Sequence, residues 1–245
     1  MQAISAPPRA LAPLDTRPLF PVAATCAYLN HAAVSPLATP TRRAMEELLA
    51  TSCGPGVRDW RARFARLEEI RALLARLVGA APAEIAFTKN TTEALSIVAQ
   101  GLDWRPGDRV VSFESEFPAN LYPWLALRPR GVTVELLPEA AILDLDRLRR
   151  ACRSVRLLSL SFVQYLSGLR ADLAAIGAIC RETGTLFVVD GIQGLGAFPI
   201  DVKACGIHAL ANGAQKWLMA PEGAGFLFLD QAVLEQFQPR EVGWL

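Results

Sequence analysis

The chain has 245 residues, 52% of them hydrophobic and 20% charged, and a formal net charge of +1 at pH 7. That length holds one large α/β domain or two small ones, and the near-neutral balance gives no electrostatic reason to expect nucleic acid or an anionic membrane as partner. Five scattered cysteines without C-x-x-C spacing argue against a disulfide framework or a zinc site and fit a reducing cytoplasm. Two histidines, His31 and His208, are too few for a histidine-rich metal centre, so no metal is expected. No apolar run approaches the ~20 residues that span a bilayer. VAATC, ending at Cys26, is faintly like a lipoprotein box. Asp15, Arg17, Pro18 and Pro21 interrupt the apolar core that a signal peptide needs.

Residues 1–26 are rich in Pro and Ala without apolar periodicity and read as an arm over the surface of a domain spanning 27–245. From Pro40 to Val78 the spacing of Leu, Ile and Phe predicts two helices interrupted at SCGPG, 52–56. An alternation then begins. Strands are predicted over 84–89, 109–114, 132–137, 155–163 and 186–191, with two more in HALANG and GFLFLD. Helices are predicted between them over 90–102, 119–127, 145–152 and 172–184. Apolar strands alternating with amphipathic helices predict a three-layer αβα sandwich around a mainly parallel sheet. In such sheets ligands gather beyond the carboxyl ends of the strands. That singles out NTTE, ESEFPAN, QYLSG, DGIQG and GAQKW, which all follow strands.

These loops carry matching chemistry. Only Lys89, Lys203 and Lys216 among the 25 basic side chains are lysines, and an amine can lose its proton and attack a carbonyl where a guanidinium cannot. Asp190 ends an apolar strand, where a carboxylate needs a cationic or donor partner. Gln193 follows three residues later. Thr91 and Thr92 open a helix, where hydroxyls and free N–H groups suit a phosphate. A phosphate site, a buried acid, an amide and a lysine together fit pyridoxal phosphate (PLP).

The motifs YLNHAAVSP, NTTEA, ESEFPANLYPW, SFVQYLSGLRADL, VVDGIQGLGAFPIDV and GAQKWLMAPEGAGF, in that order, resemble the class V aminotransferases of PLP fold type I. The similarity is strongest to the isopenicillin-N-epimerase-like branch, related to cysteine desulfurases and kynureninases, and runs from about residue 27 to the end. The resemblance implies the large PLP-binding domain of that fold. It implies that Lys216 holds PLP as a Schiff base and carries the α-proton, and that Asp190 pairs with the pyridine nitrogen. Gln193 would bond the phenolic oxygen, and Thr91, Thr92 and Gln215 the phosphate. Phe117 would stack on the ring where desulfurases carry a histidine. Gln164 and Tyr165 would face the ring substituents or the substrate. An amino-acid substrate and a homodimer follow from the same resemblance.

Each residue also has a plainer reading. Lys216 beside Trp217 could be a surface snorkel, Asp190 before glycine a turn residue, Thr91 and Thr92 a helix cap, and Phe117 core. Lys89 could be the reactive lysine instead. His31 and His208 read as structural, and Gly223 and Gly225 lack the context of a dinucleotide loop. The histidine missing at Phe117, and the absence of a cysteine in the family's C-terminal catalytic loop, argue against sulfur transfer from cysteine. Ending at EVGWL, the chain is expected to lack the small C-terminal domain of full-length members, which supplies an arginine for the substrate's α-carboxylate. The reaction stays open among transamination, β-elimination or C–S cleavage, and epimerisation. A PLP-fold remnant without turnover is the alternative, and a nicotinamide-binding module ranks last.

Overall fold

The computed structural model describes residues 15–54, 56, 60–240 and 242. Residues 1–14 of the arm, and all of EVGWL except Val242, lie outside the described residues. Residues 15–26 form two short 3-10 turns, Arg17–Leu19 and Pro21–Ala24, with no buried side chain. The two helices around SCGPG are α1 (Thr39–Cys53) and α2 (Trp60–Val78). None of the residues of α1 is buried, and Met45, Leu48 and Leu49 are exposed along it. No helix among the described residues is long and apolar enough to cross a membrane.

The alternation predicted from residue 84 onward is present. The strands are β1 (Ile85–Thr88), β2 (Arg109–Phe113), β3 (Thr133–Leu137), β4 (Leu157–Ser161), β5 (Leu186–Asp190), β6 (Ala209–Gly213) and β7 (Gly225–Leu229). The intervening helices are α3 (Thr91–Gly101), α4 (Tyr122–Leu125), α5 (Leu145–Ala151) and α6 (Leu173–Thr183). One prediction needs correcting. The helix expected over 119–127 is a 3-10 turn, Pro118–Asn120, followed by the single turn of α4. Pro118 and Pro123 each sit at the start of a turn, and neither can donate the N–H that would extend a preceding one.

The seven strands form one sheet in the order β1-β7-β6-β5-β4-β2-β3. Only β7 is antiparallel to its neighbours, β1 and β6. All other pairings are parallel. The carboxyl ends of β1, β2, β4, β5 and β6 therefore share one edge. Successive side chains on a strand point to opposite faces, so the central strands feed two cores. Val110, Leu157, Val188 and Leu227 pack with Ala94, Leu95 and Val98 of α3. Val111, Leu158, Val189 and Phe228 pack with Ala75 of α2, Leu148 of α5 and Ile176 and Ile179 of α6. The two outermost strands, β1 and β3, are only partly buried, whereas β4, β5 and β6 are buried throughout.

Gly177 lets α6 lie directly on the 201–206 segment, because a Cβ there would stand 1.7 Å from the Cys205 carbonyl oxygen. Gly177→Ala is expected to lower the unfolding free energy by about 3 kcal/mol, the upper part of the usual overpacking range. Urea denaturation measures this directly.

Candidate active site

A cavity of about 530 Å³ opens at the shared carboxyl edge. Every candidate residue except Gln164 lines it: Thr91 and Thr92 after β1, Phe117 after β2, Tyr165 after β4, Asp190 and Gln193 after β5, Gln215 and Lys216 after β6. Asn30, Ala32 and Ala33 complete one wall from the N-terminal side.

At the β1 end, the helix cap belongs to neither threonine. Asn90 is the N-cap of α3, its side chain accepting the Glu93 N–H at 2.9 Å. Thr91 and Thr92 thus occupy the first two helical positions, whose N–H groups have no partner within the helix. The Thr91 hydroxyl oxygen accepts the Gly213 N–H at 2.8 Å, which ties this helix to the end of β6 and leaves the hydroxyl proton free to donate. Partial positive charge at the helix start, a hydroxyl and the Gln215 amide line one end of the cavity and could hold an anion there.

At the β5 end, Asp190 is 1% exposed. One oxygen accepts the Ile192 N–H at 3.0 Å. Burial pushes its carboxyl up to about 7; the nearby Glu116 acts in the same direction, while the Ile192 hydrogen bond and Lys216 oppose it. Lys216 is held below the ordinary lysine value by burial, with Asp190 pulling the other way. A lowered ammonium pKa supplies more free amine near neutrality. Gln193 donates its amide to the Ala32 carbonyl at 3.0 Å and accepts from the Trp217 indole at 3.3 Å. The other amide hydrogen of Gln193 stays available to the cavity.

The Lys216 loop is fixed from three sides. Ser35 donates its backbone N–H and its hydroxyl to the Gln215 carbonyl, at 2.9 and 3.2 Å. His31 stacks on Trp217, with ring centroids 5.5 Å apart and planes 14° from parallel. Gly196, at φ +101°, brings the 190–198 loop so near the Trp217 carbonyl that a Cβ would stand 2.5 Å from that oxygen. The other two lysines are elsewhere. Lys89 is largely exposed and paired with Glu93 at 2.7 Å. Lys203 bridges Glu84 and Asp230 at the opposite edge of the sheet. His208 accepts the Phe187 N–H through Nδ1, a purely structural contact.

Phe117 is 48% exposed and meets Tyr165 edge to face at 5.2 Å, so it belongs to the cavity wall and not to the core. Gln164 turns the other way. It is buried and donates to Glu116 at 2.7 Å. Glu116 itself was not singled out by the sequence; the visible signal was an acid held between Phe113 and Phe117 in a loop that follows a buried strand.

Residues 27–244 match the family model described as aminotransferase class-V. The chain belongs to that family. A probable cysteine desulfurase of Methanothermobacter thermautotrophicus is 35% identical to this class V chain over 94% of its length. The cystine C–S lyase C-DES, solved with its product cysteine persulfide, superposes with a TM-score of 0.85 at 28% identity over 92% of the chain. A lysine-to-alanine variant of C-DES, with glycine covalently linked to its PLP cofactor, superposes at 0.87 with 27% identity over 93%. The class V chain spans 59% of the desulfurase and 62% and 63% of the two C-DES chains.

Proposed function

We propose that this chain is the cofactor-binding large domain of a PLP-dependent enzyme that acts on an amino acid, with C–S bond cleavage by β-elimination as its reaction. One observation carries the reading: a half-buried lysine and a buried acid face one cavity whose far end is the start of a helix. That donor set matches the cofactor group by group. Thr91, Thr92 and Gln215 would hold its phosphate, Lys216 its aldehyde carbon, Asp190 its ring nitrogen and Gln193 its phenolic oxygen, with Phe117 against the ring. When bound, the cofactor supplies an electron sink for charge left at the substrate α-carbon. Lys216 would be the group placed to take the α-proton of the amino acid. Loss of sulfur from the β-carbon would require no protein cysteine; both relatives cleave C–S bonds, which favours this class over transamination or epimerisation, and the C–S lyase favours elimination within it.

The test is absorbance and product analysis of the full chain loaded with PLP and offered a panel of amino acids including cystine. A visible band that responds to a sulfur amino acid, with release of pyruvate and ammonia, supports the reading. A band indifferent to every amino acid supports binding without turnover. Thr91→Val removes the acceptor of the buried Gly213 N–H and the hydroxyl donor. It is expected to weaken PLP binding about tenfold or more, measured by titrating the band.

A homodimer in the cytoplasm belongs to the same proposal. Exposed Met45, Leu48 and Leu49 on α1 supply apolar surface for association, and all five cysteines are free thiols. Sedimentation of the loaded chain tests the dimer.

A further inference from the structure

Behind the cavity lies a buried carboxylate with no role in the chemistry described above. Glu116 is 4% exposed and accepts four hydrogen bonds. Ser161 donates its N–H at 2.8 Å and its hydroxyl at 2.5 Å. Asn120 and Gln164 donate their amides at 2.8 and 2.7 Å. Four donors fill the lone pairs of an ionised carboxylate, which has no hydrogen of its own to give. Burial holds the Glu116 carboxyl above its ordinary value, with these donors opposing that rise in part. The network reaches further, since Asn120 accepts from Ser159 at 2.6 Å and from the Trp124 indole at 3.2 Å.

Its position matters in two ways. Glu116 immediately precedes Phe117, and Gln164 immediately precedes Tyr165, so one carboxylate holds together the two loops whose rings meet edge to face on the cavity wall. Ser161 is also paired in register with Asp190 across β4 and β5. The carboxylate therefore stands one strand behind Asp190, whose carboxyl also feels the opposing charge of Lys216.

Resting on the PLP reading above, we propose that Glu116 is a positioning residue of the cofactor site, fixing the Phe117 and Tyr165 walls and placing a second negative charge behind Asp190. A second anion there favours a protonated, cationic cofactor. Removing it lets the proton leave at lower pH.

The experiment compares wild-type, Glu116→Gln and Glu116→Asp full chains loaded with PLP, following the visible band against pH. Glu116→Gln keeps the shape. Its band midpoint is expected to fall by about 0.5–1 pH unit, while Glu116→Asp, which retains the charge, stays at the wild-type midpoint. An unchanged midpoint in Glu116→Gln, or an equal shift in Glu116→Asp, overturns the proposal. If the wild-type chain takes up no PLP, the functional reading fails separately, and Glu116 is judged by hydrogen exchange on the cofactor-free chain. Exchange about tenfold faster over 117–121 and 164–169 in Glu116→Gln supports the clamp; unchanged exchange overturns it.

Discussion

Lys216→Ala is expected to abolish covalent capture of PLP: borohydride treatment of the loaded variant leaves no label at residue 216, whereas the wild-type chain is labelled there. Turnover should fall by on the order of 10²–10⁴-fold, the range for losing a positioned proton-transfer group. Non-covalent affinity should survive in part, because the Thr91, Thr92 and Gln215 cradle does not depend on the lysine. Peptide mapping after reduction is the deciding measurement. A label that persists in the variant would move the chemistry to another lysine, and Lys89, exposed and paired with Glu93, is poorly placed for it.

The second large effect concerns Asp190 and separates stability from function. Its carboxyl is raised to about 7 in the cofactor-free fold. The folded chain therefore keeps a proton that the unfolded chain releases near pH 4. Stability accordingly falls as pH rises through the window from about 4 to about 7 and levels off above it. Asp190→Asn has no such proton to lose and keeps an oxygen for the Ile192 N–H. At pH 8 the cofactor-free variant should be more stable than wild type by about 2–4 kcal/mol, with the gap closing toward pH 4. The same variant should bind PLP more weakly and lose turnover, since a neutral amide cannot balance a protonated ring nitrogen. Urea midpoints at the two pH values, set beside PLP titrations, test both halves. Equal midpoints at pH 8 would mean that Asp190 is not destabilising the empty site.

The strands and their order along the chain could be read in advance because β2, β4 and β5 are nearly continuous apolar runs and the helices between them carry 3.6-residue spacing. Loops after parallel strands gather at one edge, so Thr91, Asp190 and Lys216 could be grouped from their places along the chain. What could not be read depended on orientation. Gln164 and Tyr165 are chain neighbours at the start of a turn that the Gly168 N–H closes onto the Gln164 carbonyl; sequence alone did not say which faced the ligand. Asn90 took the capping role from the threonines because its side chain reaches the Glu93 N–H. Glu116 was hidden for a different reason. Its donors Ser161 and Gln164 lie 45 and 48 residues downstream, and an isolated acid in a loop ordinarily reads as solvated.

The bonds that close the cavity have a consequence for how the chain is made. Ser35 meets Gln215 across 180 residues, Gln193 meets Ala32 across 161, and Thr91 meets Gly213 across 122. Contacts so distant along the chain close late, after the loops between them have lost their freedom. During synthesis, a nascent chain emerging as far as β5 can already pair several strands, yet it has neither the lysine nor the Gly213 N–H that braces the cradle. Cofactor uptake is thus a clock for the last event of folding: a ribosome-bound chain should remain colourless in the presence of PLP until β6 and the loop behind it have been delivered.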